Sequence, residues 1–381
     1  MLCRALRFSR PQIGCALGVT SAVTPLFIAE LAPARHRGGL VMLYQLSITA
    51  GILIALAIGH ALTSSRNWRL MIFLAVVPAG AQIFGMLFVP ESPRFLLRAG
   101  KREAALSVLR RIRGSEAIVQ EELEEIERVK QEEGRVTWKE VFGPRFRGPM
   151  LAGIGLAVLS ALDGVNAIFY YSTKMFEIAG QSDATMSSLA VGITNFGMSI
   201  ISLYIVNSFP RRRLLFIGIT GQICGLVLAA TPLLLPGDVS SGDGWAMVSG
   251  VLLFVVFFAF SSGPIAWVVI SEVFPLGARG KGAGIATACN WLANYVVALV
   301  YPVAVGSEEG RDQQKRVGYS FVAFGVICLF SLVYVYFLVP ETHHKSLEQI
   351  EEEFEDRRLK RHRGKDGALQ SPPPAEAGQG A

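Results

Sequence analysis

The chain contains little charge and few of the side chains that usually carry catalysis or bind metals. Charged residues make up 17% of its 381 positions, against about 25% in soluble domains. Five histidines are scattered, and five cysteines form no C-x-x-C pair, which excludes the usual zinc and redox spacings. The motifs G-x-S-x-G, H-E-x-x-H and Walker A are also missing. We therefore predict that the chain is not an enzyme and needs no cofactor or metal.

Long apolar runs, in contrast, are abundant. Hydrophobic residues account for 51% of the chain, and the mean hydropathy is +0.43. A run of about 20 mostly apolar residues can cross a bilayer. Such runs occupy 11–30, 39–62, 70–89, 148–173, 184–206, 213–236, 245–271, 283–304 and 317–339. The sequence thus predicts an all-α, multi-pass integral membrane protein with about nine spanning helices.

The net charge of +6 is distributed in a way that indicates topology rather than nucleic-acid binding. Basic residues gather in alternate connectors, around 35–37, 94–147, 211–213 and 279–281, and in the tail at 357–365. Since lysine and arginine accumulate on the cytoplasmic side, we predict a cytoplasmic C-terminus. The first ten residues, MLCRALRFSR, depart from this alternation, because nine spans would place them outside.

Two short motifs each occur twice in the chain. E-x-x-P-x-x-x-R-G begins at Glu30 and again at Glu272, and VPE begins at Val89 and again at Val339. Their similar offsets indicate two related halves. Three apolar runs of the second half precede the span that ends in EVFPLGARG, whereas none precedes the span that ends in ELAPARHRG. We therefore expect the first half to lack its three opening helices and the chain to be N-terminally truncated.

The charged segments divide the sequence into four predicted parts. Residues 1–95 hold three spans, which correspond to helices four to six of the complete architecture, and 148–340 hold six spans. Between them, 96–147 mix charged and apolar residues as cytoplasmic amphipathic helices do. The alternative for this segment is a solvated linker. Residues 341–381 begin as a cytoplasmic helix and end in a polar tail of the kind that stays disordered.

A set of short stretches, taken in order, makes a resemblance specific. They are the two E-x-x-P-x-x-x-R-G copies, PESPRFLL, GVNAIFYYS, PRRRLL, SSGPIAW, NWLAN and PETxxxxLEQI. Over residues 8–355 the chain resembles the sugar porters of the major facilitator superfamily, which include facilitative hexose transporters and proton–sugar symporters. The resemblance implies that fold, with about nine of its twelve helices present, and alternating access without ATP. It also implies a monomer in the lipid bilayer, with a small-molecule sugar, and protons in symporters, as partners.

The resemblance carries over a set of site residues. Positions that match sugar-binding or sugar-enclosing residues of the family are Gln45, Asn166, Asn195, Trp267, Asn290 and Trp291. Amides suit hydroxyls that both donate and accept, and an indole can stack on the apolar face of a sugar ring. The alternative for Gln45 is a hydrogen bond that bridges two helices. Gly263 and Pro264 are expected to break and bend a spanning helix, unless they only relieve packing.

Charged residues at predicted helix ends resemble the cytoplasmic cluster that holds the two halves of the family's fold together. They are Glu30, Arg37, Glu91, Arg94, Arg211, Arg212, Glu272, Arg279 and Glu341. Carboxylate–guanidinium pairs can form and break as the halves move, so the duplicated motif predicts one side of a latch in each half. Anchoring by positive charge alone would explain the arginines but not the glutamates.

One stretch departs from the family pattern at the predicted sugar site. Where the family has QQ-x-x-G-x-N, this chain reads SALDGVN, so Ser160 and Ala161 replace two glutamines and Asp163 adds a carboxylate within an apolar run. An acidic residue at such a depth indicates a function by default. Asp163 could bind a sugar hydroxyl, carry a proton or pair with a cation, and the alternative is a solvated helix face.

Together these features predict a transporter of a monosaccharide, a hexose, that works as a uniporter or a proton symporter. A polyol or inositol carrier is the nearest alternative, because Asp163 and the two lost glutamines alter the predicted sugar site. A truncated, non-transporting membrane protein is the other, and we expect the chain as written to transport poorly or not at all. The default location is the plasma membrane, with plastid and vacuolar membranes as alternatives.

Overall fold

The computed structural model describes residues 2–33, 37–64, 67–236, 241–275, 277–306, 310–343, 345 and 349–356. All regular secondary structure in these residues is helical, which confirms the all-α prediction. The helices are α1 (Leu2–Leu31), α2 (Arg37–Ala61), α3 (Trp68–Leu74), α4 (Val76–Met86), α5 (Pro93–Arg98), α6 (Arg102–Arg113), α7 (Glu116–Arg135), α8 (Trp138–Val141), α9 (Arg147–Leu162), α10 (Val165–Ile178), α11 (Ala184–Ser208), α12 (Arg211–Leu234), α13 (Ser241–Phe260), α14 (Ser262–Val273), α15 (Arg279–Val305) and α16 (Arg311–Leu338). A further helical stretch covers 349–356.

Nine segments within the described ranges are long and apolar enough to cross a membrane. They are α1, α2, α3 with α4, α9 with α10, α11, α12, α13 with α14, α15 and α16. These segments coincide with the nine predicted runs, so the prediction of a multi-pass membrane protein is confirmed. The division of the chain into four domains stays a prediction.

Three of the spans are broken helices, and one of the breaks adjoins the predicted pair Gly263 and Pro264. The chain between α13 and α14 breaks at Ser261, whereas Gly263 and Pro264 lie in the first turn of α14. A proline in a first turn needs no N–H partner, but its ring excludes a helical bond to the carbonyl four residues earlier. The ladder therefore stops before Pro264 and resumes with the bond from Ile265 N to Ser261 O (2.9 Å).

The packed core lies in α9–α16. Its buried side chains include Ile168, Leu215, Phe254, Val269 and Phe321, each from a different helix. In contrast, no residue of the apolar stretches in α1 or in α3 and α4 is buried. Such helices suit lipid, where an apolar side chain needs no protein cover. Helix α2 packs against α11, and α1 packs against α2 and α15.

The segment between α4 and α9 forms four short helices, α5–α8. Leu97 and Leu109 belong to a small buried core shared by α5, α6 and α7. Arg113 of α6 ties this group to α1, because its guanidinium pairs with Glu122 of α7 and donates to the Leu31 carbonyl (2.9 Å). Packed helices rather than a solvated linker therefore occupy most of this segment.

Candidate functional site

Three asparagines form a continuous chain of hydrogen bonds between α9, α10 and α15. Asn166 Nδ2 donates to Asn294 Oδ1. Asn294 Nδ2 donates to the carbonyl and to the Oδ1 of Asn290, at 3.1 Å each. Asn290 Nδ2 in turn donates to the Ala157 carbonyl in α9 (2.7 Å). Since an amide has two N–H donors and an oxygen with two lone pairs, this asparagine chain concentrates donors and acceptors at one place inside the helix bundle.

The break between α9 and α10 puts Asn166 in this position. Gly164 has a φ of +100°, which glycine adopts without steric cost, and a Cβ there would lie 2.6 Å from the Phe324 ring. Asp163 Oδ1 accepts from the Val165 N–H (3.0 Å), which satisfies one of the unpaired N–H groups at the start of α10. The Asp-Gly pair thus ends one helix and starts the next, with Asn166 in its first turn.

Asn294 is the member of the asparagine chain that sequence analysis missed. Asn290 and Asn294 lie four residues apart in α15, so their side chains share one face of the helix. Both belong to the NWLAN stretch, and two amides at this spacing within an apolar run were the available signal. The structure brings Asn166 and Asn290, both predicted, together through Asn294.

An aromatic stack adjoins the asparagine chain. The ring centroids of Tyr171 and Tyr301 are 5.1 Å apart, and those of Tyr301 and Phe324 are 6.4 Å apart. The Tyr171 hydroxyl donates to the Ala298 carbonyl (3.0 Å). Because Phe324 also covers Gly164, the stack holds α10 against α15 and α16 beside the amides.

The other predicted sugar-contacting residues lie outside the asparagine chain. Gln45 is half-buried on α2, and Asn195 is buried on α11, which are two helices that pack together. Trp267 on α14 is exposed. Throughout the described residues, these three side chains make no hydrogen bond to the asparagines, so their roles stay predictions.

Trp291 lies between α1 and α15. Its Nε1 donates to Ser21 Oγ (3.1 Å), which links the two helices. A cavity of about 390 Å³ adjoins the indole and is otherwise lined mainly by small residues, among them Gly14, Gly18, Ala22, Gly284 and Ala288. This volume falls within the range of small-molecule pockets, about 300–1,000 Å³.

The duplicated motif has the same setting in both places. Helices α1 and α14 end one residue after Glu30 and Glu272, and the next helix begins at the arginine of the motif in both copies. Ser92, from the first VPE stretch, donates through Oγ to Glu30 Oε2. Thr342, from the second VPE stretch, lies beside Glu272. In each half, therefore, the two repeated motifs contact each other.

The charged residues of the second half form a compact group. Arg211 Nη2 lies 3.8 Å from Glu272 Oε1. Glu341 accepts from the backbone N–H groups of Arg211 (2.9 Å) and Arg212 (3.1 Å). A carboxylate at the N-terminus of α12 accepts from its unpaired N–H groups and interacts favourably with the positive end of its dipole. Arg279 donates through Nε to the Phe274 carbonyl (3.4 Å).

The predicted latch between the halves is not tested by these contacts. Glu91 is exposed and Arg94 is half-buried, while the side chain of Arg37 lies outside the described residues. The contact described for Glu30 lies within the first half, and those described for Glu272 and Glu341 lie within the second. A bridge across the halves through this set stays a prediction.

Comparison with known proteins gives consistent matches over nearly the whole chain. Residues 3–354 match the family described as Sugar (and other) transporter. The chain is 35% identical to the putative metabolite transport protein YwtG of Bacillus subtilis, over 91% of this chain and 74% of that protein. It is 33% identical to the glucose transporter GlcP of Staphylococcus epidermidis, over 92% of this chain and 77% of that protein.

The fold has a close counterpart among solved structures. The major facilitator superfamily proton:xylose symporter XylE of E. coli, bound to 6-bromo-6-deoxy-D-glucose, superimposes with a TM-score of 0.72 and 29% sequence identity. The match covers 88% of this chain and 70% of that one. The sequence resemblance and the arrangement of helices therefore agree.

Proposed function

Because this chain belongs to the sugar (and other) transporter family of the major facilitator superfamily, we propose that it carries a monosaccharide across a membrane by alternating access. The named relatives are transporters and not enzymes, and each is matched over more than two thirds of its length. These relatives do not favour the polyol carrier or the non-transporting alternative.

The observation that carries the proposal is the asparagine chain of α10 and α15, in which Asn290 and Asn294 are buried and Asn166 is half-buried. A sugar ring presents hydroxyls that donate and accept, and amides can pair with both without a net charge. Ser160 and Ala161, which replace two glutamines of the family pattern, are too short to reach far from α9, and Ser160 Oγ donates to its own helix at Ala157 O (3.1 Å). The asparagines then take a larger share of sugar recognition in this chain.

We infer the substrate and the coupling ion from what the relatives are said to carry. GlcP is described as a glucose transporter and XylE as a proton:xylose symporter that is seen with a glucose derivative. A hexose carried together with a proton is the function that these comparisons support best for this chain. Gln45, Asn195, Trp267 and Trp291 would complete the path of the sugar.

The setting of the protein is part of the same proposal. The chain would work as a monomer in the plasma membrane. Its C-terminus would lie in the cytoplasm, since basic connectors alternate with acidic or neutral ones. The repeated Glu-Arg motifs would serve as a cytoplasmic latch that closes when the sugar path opens outward. Charge-assisted pairs suit this role because they can form and break without losing specificity.

Sugar counterflow in proteoliposomes tests the proposed function. Because the relatives do not favour the non-transporting alternative, we expect the purified full chain to exchange radiolabelled glucose or xylose across the bilayer, against the expectation from the sequence alone. Asn166→Ala and Asn294→Ala should each lower the exchange rate at low sugar concentration about tenfold, which corresponds to about 1.4 kcal/mol of lost binding free energy. The reason is that each change removes an amide and leaves its partner unpaired.

Gln120→Ala is the matched control, because it removes a carboxamide from an exposed position on α7 and should leave exchange unchanged. Absence of counterflow for both sugars in the unaltered chain would overturn the proposed function. Normal exchange in both asparagine variants would instead remove the asparagine chain from the sugar path.

A further inference from the structure

A carboxylate is buried at the break between α9 and α10, beside the asparagine chain but not bonded to it. Asp163 is only 3% exposed. Its Oδ1 accepts from the Val165 N–H (3.0 Å). Its Oδ2 is also buried and has no hydrogen-bond partner among the described residues. The hydrogen bonds described above therefore leave one oxygen of this carboxylate unpaired.

A permanent charge at this place would be costly. An ionised carboxylate withdrawn from water needs a cation or several hydrogen bonds to offset the loss of hydration. Asp163 has one such bond, and in the described part of the chain no cationic side chain interacts with it. A metal ion would require several oxygen ligands, whereas a proton on Oδ2 removes the charge and needs none.

A string of buried polar side chains leads away from Asp163. Cys328 of α16 lies in the neighbourhood of the carboxylate, and its Sγ lies 3.9 Å from Gln222 Oε1 of α12. Gln222 Nε2 donates to the hydroxyl of Ser262, the first residue of α14. Gln222 has no exposed surface, and Ser262 is 4% exposed. The string thus runs from the break between α9 and α10 to the break between α13 and α14.

Asp163 also bears directly on the orientation of α10. Its Oδ1 holds the first N–H of that helix, and Asn166, three residues further on, bonds to Asn294 of α15. A carboxylate accepts such a bond more strongly than a neutral acid does. Adding or removing a proton therefore changes how firmly the start of α10, with its sugar-binding amide, is held to α9.

Few other titratable groups face this carboxylate. Cys328 is the titratable side chain on α16 that lies in its neighbourhood. Tyr301 of α15 stacks on the Phe324 ring, and that ring covers Gly164, the residue after Asp163. The described residues of α11, α13 and α14 contribute no charge that interacts with Asp163.

From this arrangement we propose that Asp163 is the proton-binding site of the transporter, and that its proton controls the bend between α9 and α10. The inference rests on the proposed sugar transport and adds the residue that couples it to protons. Oδ2 takes up a proton when the path opens to the side of higher proton concentration and releases it on the other side. No covalent bond of the sugar forms or breaks.

The test separates sugar exchange from proton coupling in proteoliposomes that contain the full chain. Counterflow needs no net proton movement, whereas accumulation driven by a pH gradient and sugar-induced proton influx, followed with an entrapped pH dye, both do. We expect Asp163→Asn to keep counterflow within about threefold while losing accumulation and proton influx at least tenfold. Asp163→Glu should restore part of both, and Asp312→Asn, which alters an exposed aspartate of α16, should match the unaltered chain.

Each outcome decides a different point. Accumulation by Asp163→Asn at the level of the unaltered chain would overturn the assignment of Asp163. Counterflow without any accumulation in the unaltered chain would do the same and indicate a uniporter, and no counterflow would overturn the proposed function instead. If Asp163→Asn does not fold, labelling of the unaltered chain with dicyclohexylcarbodiimide, which attacks protonated carboxyls in apolar surroundings, supplies the readout: modification of Asp163 at low pH is expected, and its absence would refute the proposal.

Discussion

At the scale of single residues, Gly164 is the position where backbone and packing leave the least choice. Its φ is +100°, and an added Cβ would lie 2.6 Å from two atoms of the Phe324 ring. That ring is itself held by its stack on Tyr301. The residue must therefore be small for two independent reasons, conformation and space.

Gly164→Ala should destabilise the protein by about 2–4 kcal/mol, because left-handed backbone strain and overpacking each cost about 1–3 kcal/mol. Thermal unfolding in detergent would measure the change. Gly197→Ala is the control, since it lies in helix α11 with nothing within 4 Å of its added Cβ. There the same substitution should stabilise by up to about 1 kcal/mol. Equal unfolding temperatures for the two variants would contradict this account.

Single residues also mark how far the sequence could predict the candidate site. Asn166 and Asn290 could be assigned because each lies in a recognisable stretch of letters. Asn294 lies in the same NWLAN stretch, but its role depends on a hydrogen bond with Asn166, which is 128 positions away in the chain. Periodicity does not encode such a bond. For Asp163, the sequence indicated a functional acid, yet it could not reveal that one oxygen caps α10 and the other is unpaired.

At the scale of elements, the start of α11 shows how a polar residue caps the N-terminus of an apolar helix. Asp183 Oδ1 accepts from the Met186 N–H (2.9 Å) and the Thr185 hydroxyl (3.0 Å). These bonds, with a smaller contribution from His60 of α2, lower the pKa of the Asp183 carboxyl below its usual 3.8. His60 Nδ1 also lies 2.9 Å from Thr185 Oγ1, so the cap joins α2 to α11.

The lowered pKa fixes the direction of a pH effect on this cap. A carboxyl whose pKa falls on folding stabilises the folded state above its unfolded pKa, and this contribution is lost as the pH falls through the folded value. Amide hydrogen exchange at residues 184–188, corrected for intrinsic rates, should therefore accelerate as the pH drops from about 6 to about 3. Asp183→Asn should abolish most of that pH dependence. The same acceleration in the variant would assign it to another group.

The spanning helices could be predicted because they depend on the length of the hydrophobic runs, whereas the breaks within them depend on packing. Each of the nine apolar runs coincides with a spanning segment. The breaks were harder, because a proline alone does not mark one: Pro264 follows a break, whereas Pro11 and Pro25 lie inside the continuous helix α1. The break before α10 depends instead on an Asp-Gly pair and on a ring from α16 that fills the space beside it. Such tertiary causes are absent from a local pattern.

At the scale of the whole molecule, the N-terminal part (α1–α4) and the C-terminal part (α9–α16) meet along α2 with α11 and along α1 with α15. Polar contacts mark both seams: His60 with Thr185 on the first, and Trp291 with Ser21 on the second. The repeated motifs predicted that the two parts are related, but not which helices touch. In an alternating-access transporter, these seams are where one part moves against the other.

Helices α2 and α11 approach closely at Gly192 of α11, where an added Cβ would lie 2.9 Å from Leu56 Cδ1 and 3.4 Å from Leu53 Cα. Gly192→Val should push α2 away from α11, at a cost of about 1–3 kcal/mol for overpacking. We expect a lower unfolding temperature and slower sugar counterflow, because the two parts can no longer close along this seam. Gly197→Val, one and a half turns further along the same helix and in open space, should affect both measurements much less. If the two variants slow counterflow equally, the seam between α2 and α11 does not govern the transport cycle, since side-chain volume anywhere on α11 would then have the same effect.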